Sequence, residues 1–136
     1  MTVLAVIDTN VLVSALLSRR DDAATVQVME AVFAARVTPL FSKEVLAEYH
    51  EVLRREKFRF SEELVRTFLG AVESAGVMVA AHPCDEDLPD MTDMPFYEVV
   101  MEKQGEGAYL VTGNKKHFPA QRFIVTPAEF LKILDR

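Results

Sequence analysis

The sequence predicts an α/β fold, specifically a three-layer α/β/α sandwich around a mostly parallel sheet of five strands. Short apolar runs without alternation recur along the chain, a pattern typical of strands that are covered on both faces. Stretches with helical periodicity separate most of these runs, which favours parallel connections over hairpins. Half of the 136 residues are apolar and no linker-like stretch interrupts them, so residues 1–136 are expected to form a single domain with one core.

The first half of the chain contains the first two predicted strands. Residues 3–7 (Val-Leu-Ala-Val-Ile) form a continuous apolar run, and a short helix is predicted after it, through Leu17. A second amphipathic helix is predicted over residues 22–36. Residues 37–41 predict the second strand, after which Ser42 is the N-cap candidate of the next helix.

The second half of the chain contains the other three predicted strands. In chain order, the predicted elements are a helix over 61–74 that ends before Gly76, a strand over 77–81, a helix capped by Thr92 or Asp93 and ended by Gly105 and Gly107, strands over 108–111 and 122–125, and a helix from Thr126 to Leu134. The turn-rich segment 83–92 is acidic. The resulting order is β-α-α-β-α-α-β-α-β-β-α.

Charge and cysteine content narrow the functional classes. Fifteen Lys and Arg residues against 21 Asp and Glu residues leave a formal net charge of -6, which argues against broad electrostatic binding of nucleic acid but permits a local, cation-assisted site. The only cysteine, Cys84, excludes an internal disulfide and a thiolate zinc site, and favours a reducing cytoplasm. The apolar run over 3–7 is too short for a signal peptide or a membrane span, so no membrane partner is expected.

Acidic and amide side chains follow the predicted strands where ligands bind in parallel sheets. Asp8 ends the first strand, Asp90 and Asp93 precede the fourth, and Asn114 follows the fourth. Glu48 lies at the margin of the apolar stripe of its helix, whereas Glu44 and Glu51 fall roughly opposite that stripe. Oxygen donors of this kind suit Mg²⁺ or Mn²⁺, which would assist the attack of water on a phosphodiester.

Each of these residues also has a structural interpretation. Asp8 could cap the helix that follows it, and Glu48 could be an ordinary solvated helix residue. Asp90 and Asp93 could belong to a solvated acidic loop. Asn114 could be a turn residue. Residue types and spacing alone leave these alternatives open.

Several motifs in a fixed order resemble one family, the PIN domain. The motifs are Asp8-Thr9-Asn10 with the helix that follows, Glu48-Tyr49, residues 90–96 (Asp-Met-Thr-Asp-Met-Pro-Phe), residues 110–119 (Leu-Val-Thr-Gly-Asn-Lys-Lys-His-Phe-Pro) and residues 125–131. The resemblance covers nearly the whole chain. It is greatest to the branch described as toxin components of toxin–antitoxin pairs, the VapC-like ribonucleases.

The resemblance implies an α/β/α fold, a Mg²⁺- or Mn²⁺-dependent endoribonuclease, frequent homodimers and an antitoxin partner. Asp8, Glu48 and Asp93 match the first three acidic positions of the family and are the expected catalytic residues. Asp90 is an accessory carboxylate among the expected metal ligands. Asn114 stands at the fourth position, where many members carry Asp, which leaves the number of bound cations open. The expected supporting residues, which would hold carboxylates and waters by hydrogen bonds, are Asn10, Thr112 and Asn114.

Two basic clusters could hold RNA phosphates beside the acidic centre, or could simply be solvated. They are Arg54, Arg55, Lys57 and Arg59 in one segment, and Lys115, Lys116 and His117 in the other. No aromatic-rich platform for stacked bases is evident from the sequence.

Other enzyme classes fit less well. A response-regulator receiver needs an Asp at the end of its third strand, which reads Val-Met-Val-Ala-Ala. A haloacid-dehalogenase phosphatase needs a second Asp where Asn10 stands, and a nucleophile elbow is missing. His50, His82 and His117 lack metal-ligand spacing. The alternative to an enzyme is a binding module, namely a PIN scaffold that no longer cleaves RNA and acts by holding RNA or an antitoxin. Asn114 would support this alternative.

Overall fold

A computed structural model describes residues 2–136 as one five-stranded, all-parallel sheet with six helices. The strands are β1 (Val3–Ile7), β2 (Val37–Phe41), β3 (Val77–Met78), β4 (Tyr109–Val111) and β5 (Ile124–Val125). Helices cover both faces of the sheet, so the predicted three-layer α/β/α class is confirmed. In this described part of the chain, no helix has the length and apolar character needed to cross a bilayer.

The α-helices are α1 (Thr9–Leu17), α2 (Ala24–Phe33), α3 (Lys43–Leu53), α4 (Glu62–Ala75), α5 (Met94–Glu102) and α6 (Pro127–Leu134). Two of the helices, α3 and α6, begin after the capping residues that the sequence predicts, whereas the helix predicted from residue 22 begins at Ala24. Ser42 accepts a hydrogen bond from the N–H of Val45 at the start of α3. Thr126 and Glu129 form a reciprocal capping box at the start of α6.

Several predicted elements are too long. The third strand is predicted over 77–81, but β3 is only two residues because its partner β2 ends at Phe41. The helix predicted to reach residue 36 ends at Phe33, since Ala35 adopts a left-handed conformation with φ of 61°. The fifth strand is confined to Ile124–Val125, where it pairs with the last two residues of β4.

The fifth helix also differs from the prediction at both ends. Neither Thr92 nor Asp93 caps it through a side chain; instead, Asp90 accepts a hydrogen bond from Thr92 N–H and starts a short 3₁₀ turn before α5. The helix ends at Glu102, ahead of the two glycines predicted to end it. A second 3₁₀ turn follows, and Gly107, with φ of 77°, closes that turn.

The sheet order is β3-β2-β1-β4-β5, so the chain reverses direction across the sheet between β1 and β4. In the parallel register of these two strands, Ile7 lies opposite Val111. The residues that follow, Asp8 and Thr112, are therefore neighbours at the carboxyl edge of the sheet. This is the position at which open parallel sheets bind ligands.

The core connects this edge to the helices. Tyr49 of α3 is fully buried, and its hydroxyl donates a hydrogen bond to the carbonyl oxygen of Ile7, the last residue of β1. The Tyr49 ring lies 6.1 Å from that of Phe96 on α5, centroid to centroid. These contacts fix α3 and α5 relative to the end of β1.

The close approach of α4 to β2 depends on Gly76. A methyl group added there would overlap the carbonyl oxygen of Pro39 and the ring of Phe41, both on β2. We expect Gly76→Ala to lower the free energy of unfolding by about 1–3 kcal/mol, measured by urea denaturation.

Gly70→Ala is the matched control for that variant. Gly70 is exposed within α4 and an added methyl group meets nothing within 4 Å, so Ala should stabilise the helix by about 0.5–1 kcal/mol. Equal effects of the two substitutions would show that Gly76 is not held against β2.

Candidate active site

Four carboxylates line one open cavity of about 720 Å³ at the carboxyl edge of the sheet. Asp8 follows β1, Glu48 projects from α3, and Asp90 and Asp93 come from the 3₁₀ turn before α5. These residues are separated by up to 85 positions in the sequence, and the strand order brings them together. The cavity has an apolar side as well, which includes Val13, Val52 and Phe58.

Asp8 is directed into the site and does not cap the following helix. It occupies the N-cap position of α1 but makes no side-chain capping hydrogen bond. Instead, its Oδ2 accepts a hydrogen bond of 2.7 Å from the hydroxyl of Thr112. Its backbone N–H donates to the carbonyl oxygen of Val111 at 2.9 Å, which extends the ladder between β1 and β4. The residue is only 6% exposed, and the Thr112 hydroxyl holds its carboxylate.

Burial is the main cause of a raised pKa at Asp8. The hydrogen bond from Thr112 opposes this shift, and the negative charge of Asp93 adds to it. Ionising Asp8 therefore carries an energetic cost that a nearby positive charge would remove.

Glu48 faces the same cavity from α3 and is half-buried, whereas Glu44 and Glu51 of this helix are exposed. The hydroxyl of Thr9 donates a hydrogen bond to Glu48 Oε2 and so ties this carboxylate to the start of α1. Burial raises the pKa of Glu48, the Thr9 hydrogen bond lowers it, and the charge of Asp8 raises it further.

Asp90 and Asp93 have different surroundings although they are three residues apart. Asp90 accepts hydrogen bonds from the N–H and the hydroxyl of Thr92, at 3.0 and 2.7 Å, and these bonds lower its pKa. The side chain of Asp93 is only 15% exposed, and its Oδ2 lies 3.1 Å from Nδ1 of His117. Burial and the charge of Asp90 raise the pKa of Asp93.

The predicted supporting residues lie around the turn after β4. Asn10 Oδ1 accepts a 3.2 Å hydrogen bond from the N–H of Gly113, and Asn10 Nδ2 lies 3.4 Å from Asp8 Oδ2. The N–H of Asn114 donates to the Thr112 hydroxyl at 3.0 Å. Residues 112–114 therefore hold Asp8 through a short network of hydrogen bonds.

His117 is predicted from the sequence only as part of a basic cluster, and not as a residue of the acidic site. Sequence spacing argued against a histidine ligand, yet its imidazole contacts both Asp93 and Asn114. Ligand atoms of Asp90, Asp93 and His117 lie within 4.8 Å of one another, the only such group of three among residues 2–136. Asp8 and Glu48 line the same cavity outside that group. The available sequence signal was the position of His117 three residues after Asn114, one turn away on a helical backbone.

The donor set fits a divalent cation. Carboxylate oxygens dominate it, as Mg²⁺ and Mn²⁺ require, and a single imidazole is also compatible with Mn²⁺. The raised pKa values arise partly from mutual repulsion: the charge of Asp93 raises the pKa of Asp8, that of Asp8 raises the pKa of Glu48, and that of Glu48 raises the pKa of Asp93. A cation bound among them would relieve this repulsion.

The two basic clusters differ in their relation to the cavity. Arg55 lines the acidic cavity, and the segment from Arg54 to Phe60 lines an adjoining depression. Arg54 and Arg55 are paired with glutamates, Glu62 and Glu51, at 2.8 and 3.0 Å.

Lys115 and Lys116 of the second cluster line a separate depression, and Lys115 pairs with Glu129 at 3.1 Å.

An aromatic pair also lies in the first basic segment. The rings of Phe58 and Phe60 stack at 5.7 Å with an interplanar angle of 17°, and Phe58 reaches the acidic cavity. Lys57 Nζ lies 5.1 Å from the centre of the Phe58 ring. Two phenylalanines separated by one residue do not by themselves predict a stacked pair, so this aromatic pair is not evident from the sequence.

Comparison with known proteins identifies the family of this chain. The family model described as PIN domain matches residues 4–116. No curated protein matches the chain. The crystal structure of PAE2754 from Pyrobaculum aerophilum is similar in fold, with a TM-score of 0.61 and 15% sequence identity over 98% of this chain and 90% of that chain. Because the family model covers most of the sequence, the chain belongs to the PIN domain family.

Proposed function

We propose that this PIN-domain protein is a divalent-metal-dependent endoribonuclease. The observation that supports this proposal best is the buried carboxylate of Asp8, which occupies a capping position without capping and shares one cavity with Glu48 and Asp93. Buried carboxylates that repel one another lower stability, and such strain is typical of functional sites. A cation held by oxygen ligands can activate water and neutralise charge in the hydrolysis of a phosphodiester.

The proposed mechanism assigns one task to each group. Asp8 and Asp93, with Asp90 as an accessory ligand, would hold Mg²⁺ or Mn²⁺ directly or through water. The cation supplies neutralisation of the phosphate charge and activation of the attacking water. Glu48, oriented by Thr9, would bind the cation or orient that water. Asn10, Thr112 and Asn114 would keep the carboxylates in place.

RNA is the proposed substrate because positively charged side chains lie beside the acidic cavity on one side. Arg54, Arg55, Lys57 and Arg59 lie within six residues, and within residues 2–136 neither Lys57 nor Arg59 forms an ion pair. Such a segment can hold the phosphates that flank the cleaved bond. Lys115 and Lys116 would extend the path on another side.

The biological role that we propose is that of the toxin in a toxin–antitoxin pair, acting in the cytoplasm as a homodimer and inhibited by an antitoxin. The PIN family and the resemblance to VapC-like ribonucleases support this role. We further propose that residues 1–136 act as one domain. The alternative function is a PIN scaffold that binds RNA or an antitoxin without cleavage, which the neutral Asn114 favours.

Cleavage assays distinguish the two functions. We expect the purified protein to cleave RNA with Mn²⁺, and Asp8→Asn or Glu48→Gln to reduce the rate by about 10²–10³-fold, because each removes charge that holds the cation or water. Product formation on structured and unstructured RNA is the measurement. Glu44→Gln, one turn earlier on the exposed face of α3, is the control and should cleave normally. If all four proteins cleave equally, the activity is a contaminant.

The pKa shifts predict how the metal-free stability depends on pH. The raised pKa values of Asp8, Glu48 and Asp93 mean that the folded state binds protons which the unfolded state has already released above the ordinary carboxyl pKa of about 4. The free energy of unfolding therefore falls as the pH rises from the ordinary carboxyl pKa of about 4 to the raised pKa values of the folded state. Above the raised pKa values the full cost of ionisation is present.

Asp8→Asn removes one of these charges and keeps an oxygen that can accept the hydrogen bond from Thr112. In EDTA we expect this variant to unfold at higher urea than the wild type at pH 7, with the difference shrinking as the pH approaches 4. Added Mn²⁺ should raise the melting temperature of the wild type more than that of the variant. A wild-type protein unaffected by millimolar Mn²⁺ would count against the proposed metal site.

Salt dependence tests the proposed RNA path. In an Asp8→Asn background, which slows cleavage, and in EDTA, Arg55→Gln and Lys57→Gln should each reduce the slope of log K against log salt by about 0.7, the value for one phosphate contact on a single strand. Filter binding or fluorescence anisotropy of labelled RNA measures this slope. Lys132→Gln, exposed on α6, is the control. An unchanged slope in both basic-segment variants would place the RNA elsewhere.

A further inference from the structure

A chain of two side-chain contacts connects Asn114 to Asp93 through His117. Nδ2 of Asn114 lies 3.0 Å from Nε2 of His117, and Nδ1 of the same ring lies 3.1 Å from Oδ2 of Asp93. His117 belongs to the 3₁₀ turn Lys115–His117, for which Asn114 is the N-cap residue. The first contact therefore depends on the local backbone after β4, and the second depends also on the position of Asp93 before α5.

Donor and acceptor chemistry determines the protonation of the ring. An amide nitrogen can only donate, so Nε2 of His117 must accept from Asn114. In a neutral imidazole the proton then resides on Nδ1, which is the atom that faces the Asp93 carboxylate. With the opposite amide orientation, a neutral ring would direct the Nδ1 lone pair at that carboxylate. Only one arrangement of the neutral ring satisfies all three groups.

We propose that Asn114 is a positioning residue that fixes His117 as the Nδ1-protonated tautomer, so that His117 donates to Asp93 Oδ2. Oδ1 of Asp93 accepts no hydrogen bond from a side chain within residues 2–136 and is the oxygen that remains to bind a cation. This last step rests on the proposed function. The tautomer itself does not.

The proposal gives a physical reason for an amide at position 114. A carboxylate there has no hydrogen to donate and would oppose the Nε2 lone pair of a neutral ring. The backbone of Asn114 also serves Asp8, because its N–H donates to the Thr112 hydroxyl, which donates to Asp8 Oδ2. A single turn thus orients both Asp8 and Asp93, although they lie 85 residues apart.

Nuclear magnetic resonance measures the tautomer directly in metal-free protein. Long-range ¹H–¹⁵N spectra at about two pH units above the ordinary histidine pKa should show His117 protonated at Nδ1. Asn114→Asp should lose this preference, because a carboxylate then faces Nε2, and Asn114→Ala should weaken it, because only Asp93 then favours the proton on Nδ1; His50 and His82 serve as unchanged internal references. A wild-type ring protonated at Nε2, or still doubly protonated at that pH, would overturn the proposal.

The affinity for Mn²⁺ distinguishes two roles of position 114, a positioning role and a cation-ligand role, because Asn114→Asp should change the affinity in opposite directions. If Asn114 positions His117, Asn114→Asp should weaken Mn²⁺ binding by about tenfold, measured by calorimetry. If position 114 is instead a cation ligand, the added carboxylate should tighten binding, which would contradict the proposal. Thermal unfolding in EDTA establishes that each variant is folded.

Two substitutions of His117 separate its two nitrogens. His117→Asn keeps a donor near the position of Nδ1, whereas His117→Gln keeps a polar group near Nε2. We expect Asn to retain Mn²⁺ affinity better than Gln, and both to retain folding.

Pulsed electron paramagnetic resonance of bound Mn²⁺ should detect no directly coordinated nitrogen; a coordinated nitrogen would make His117 a ligand and overturn its positioning role. A protein without Mn²⁺ binding or cleavage would refute the proposed nuclease, whereas the tautomer is decided by its own spectrum.

Discussion

The parallel pairing of β1 with β4 is the constraint on which the rest of the site depends. It is continued beyond Ile7 and Val111 by the hydrogen bond from Asp8 N–H to the Val111 carbonyl oxygen. That bond leaves Asp8 and Thr112 side by side, where the Thr112 hydroxyl can reach the carboxylate. Without this register, Asp8 would be a helix cap or a surface residue. The position of the Asp8 carboxylate in the cavity therefore depends on a backbone hydrogen bond.

Hydrogen bonds from neighbouring residues hold the carboxylates of the cavity together although their negative charges repel one another. Tyr49 shows how the core contributes to this. Its pKa is raised well above the usual value, chiefly by burial and further by the charges of Asp8 and Glu48, so its hydroxyl keeps its proton and donates to the Ile7 carbonyl. Thr9 similarly anchors Glu48. Neutral donors thus surround the acidic cavity and prevent the like charges from moving apart.

The sequence predicts the features that local patterns encode. Apolar runs identify β1 and β2, Ser42 and Thr126 identify two helix starts, and Asp8 follows the first strand. What it cannot supply is long-range geometry. Whether Asp8 caps α1 depends on Thr112, which lies 104 residues away. The length of β3 depends on where β2 ends, and the contact of His117 with Asp93 depends on packing between α5 and the turn after β4.

Net charge is a poor guide to whether this protein can bind RNA, because screening makes such an interaction local. At physiological ionic strength charges separated by more than about 8 Å are largely screened, so a bound phosphate responds to its immediate neighbours and not to the total of -6. In the basic segment beside the cavity, Arg54 and Arg55 are partly neutralised by glutamates, whereas Lys57 and Arg59 have no such partner within residues 2–136. The unpaired cations have the most to gain from a phosphate. An acidic protein can therefore present a positive edge directly beside a negative cavity, which is the arrangement that a cation-dependent nuclease requires.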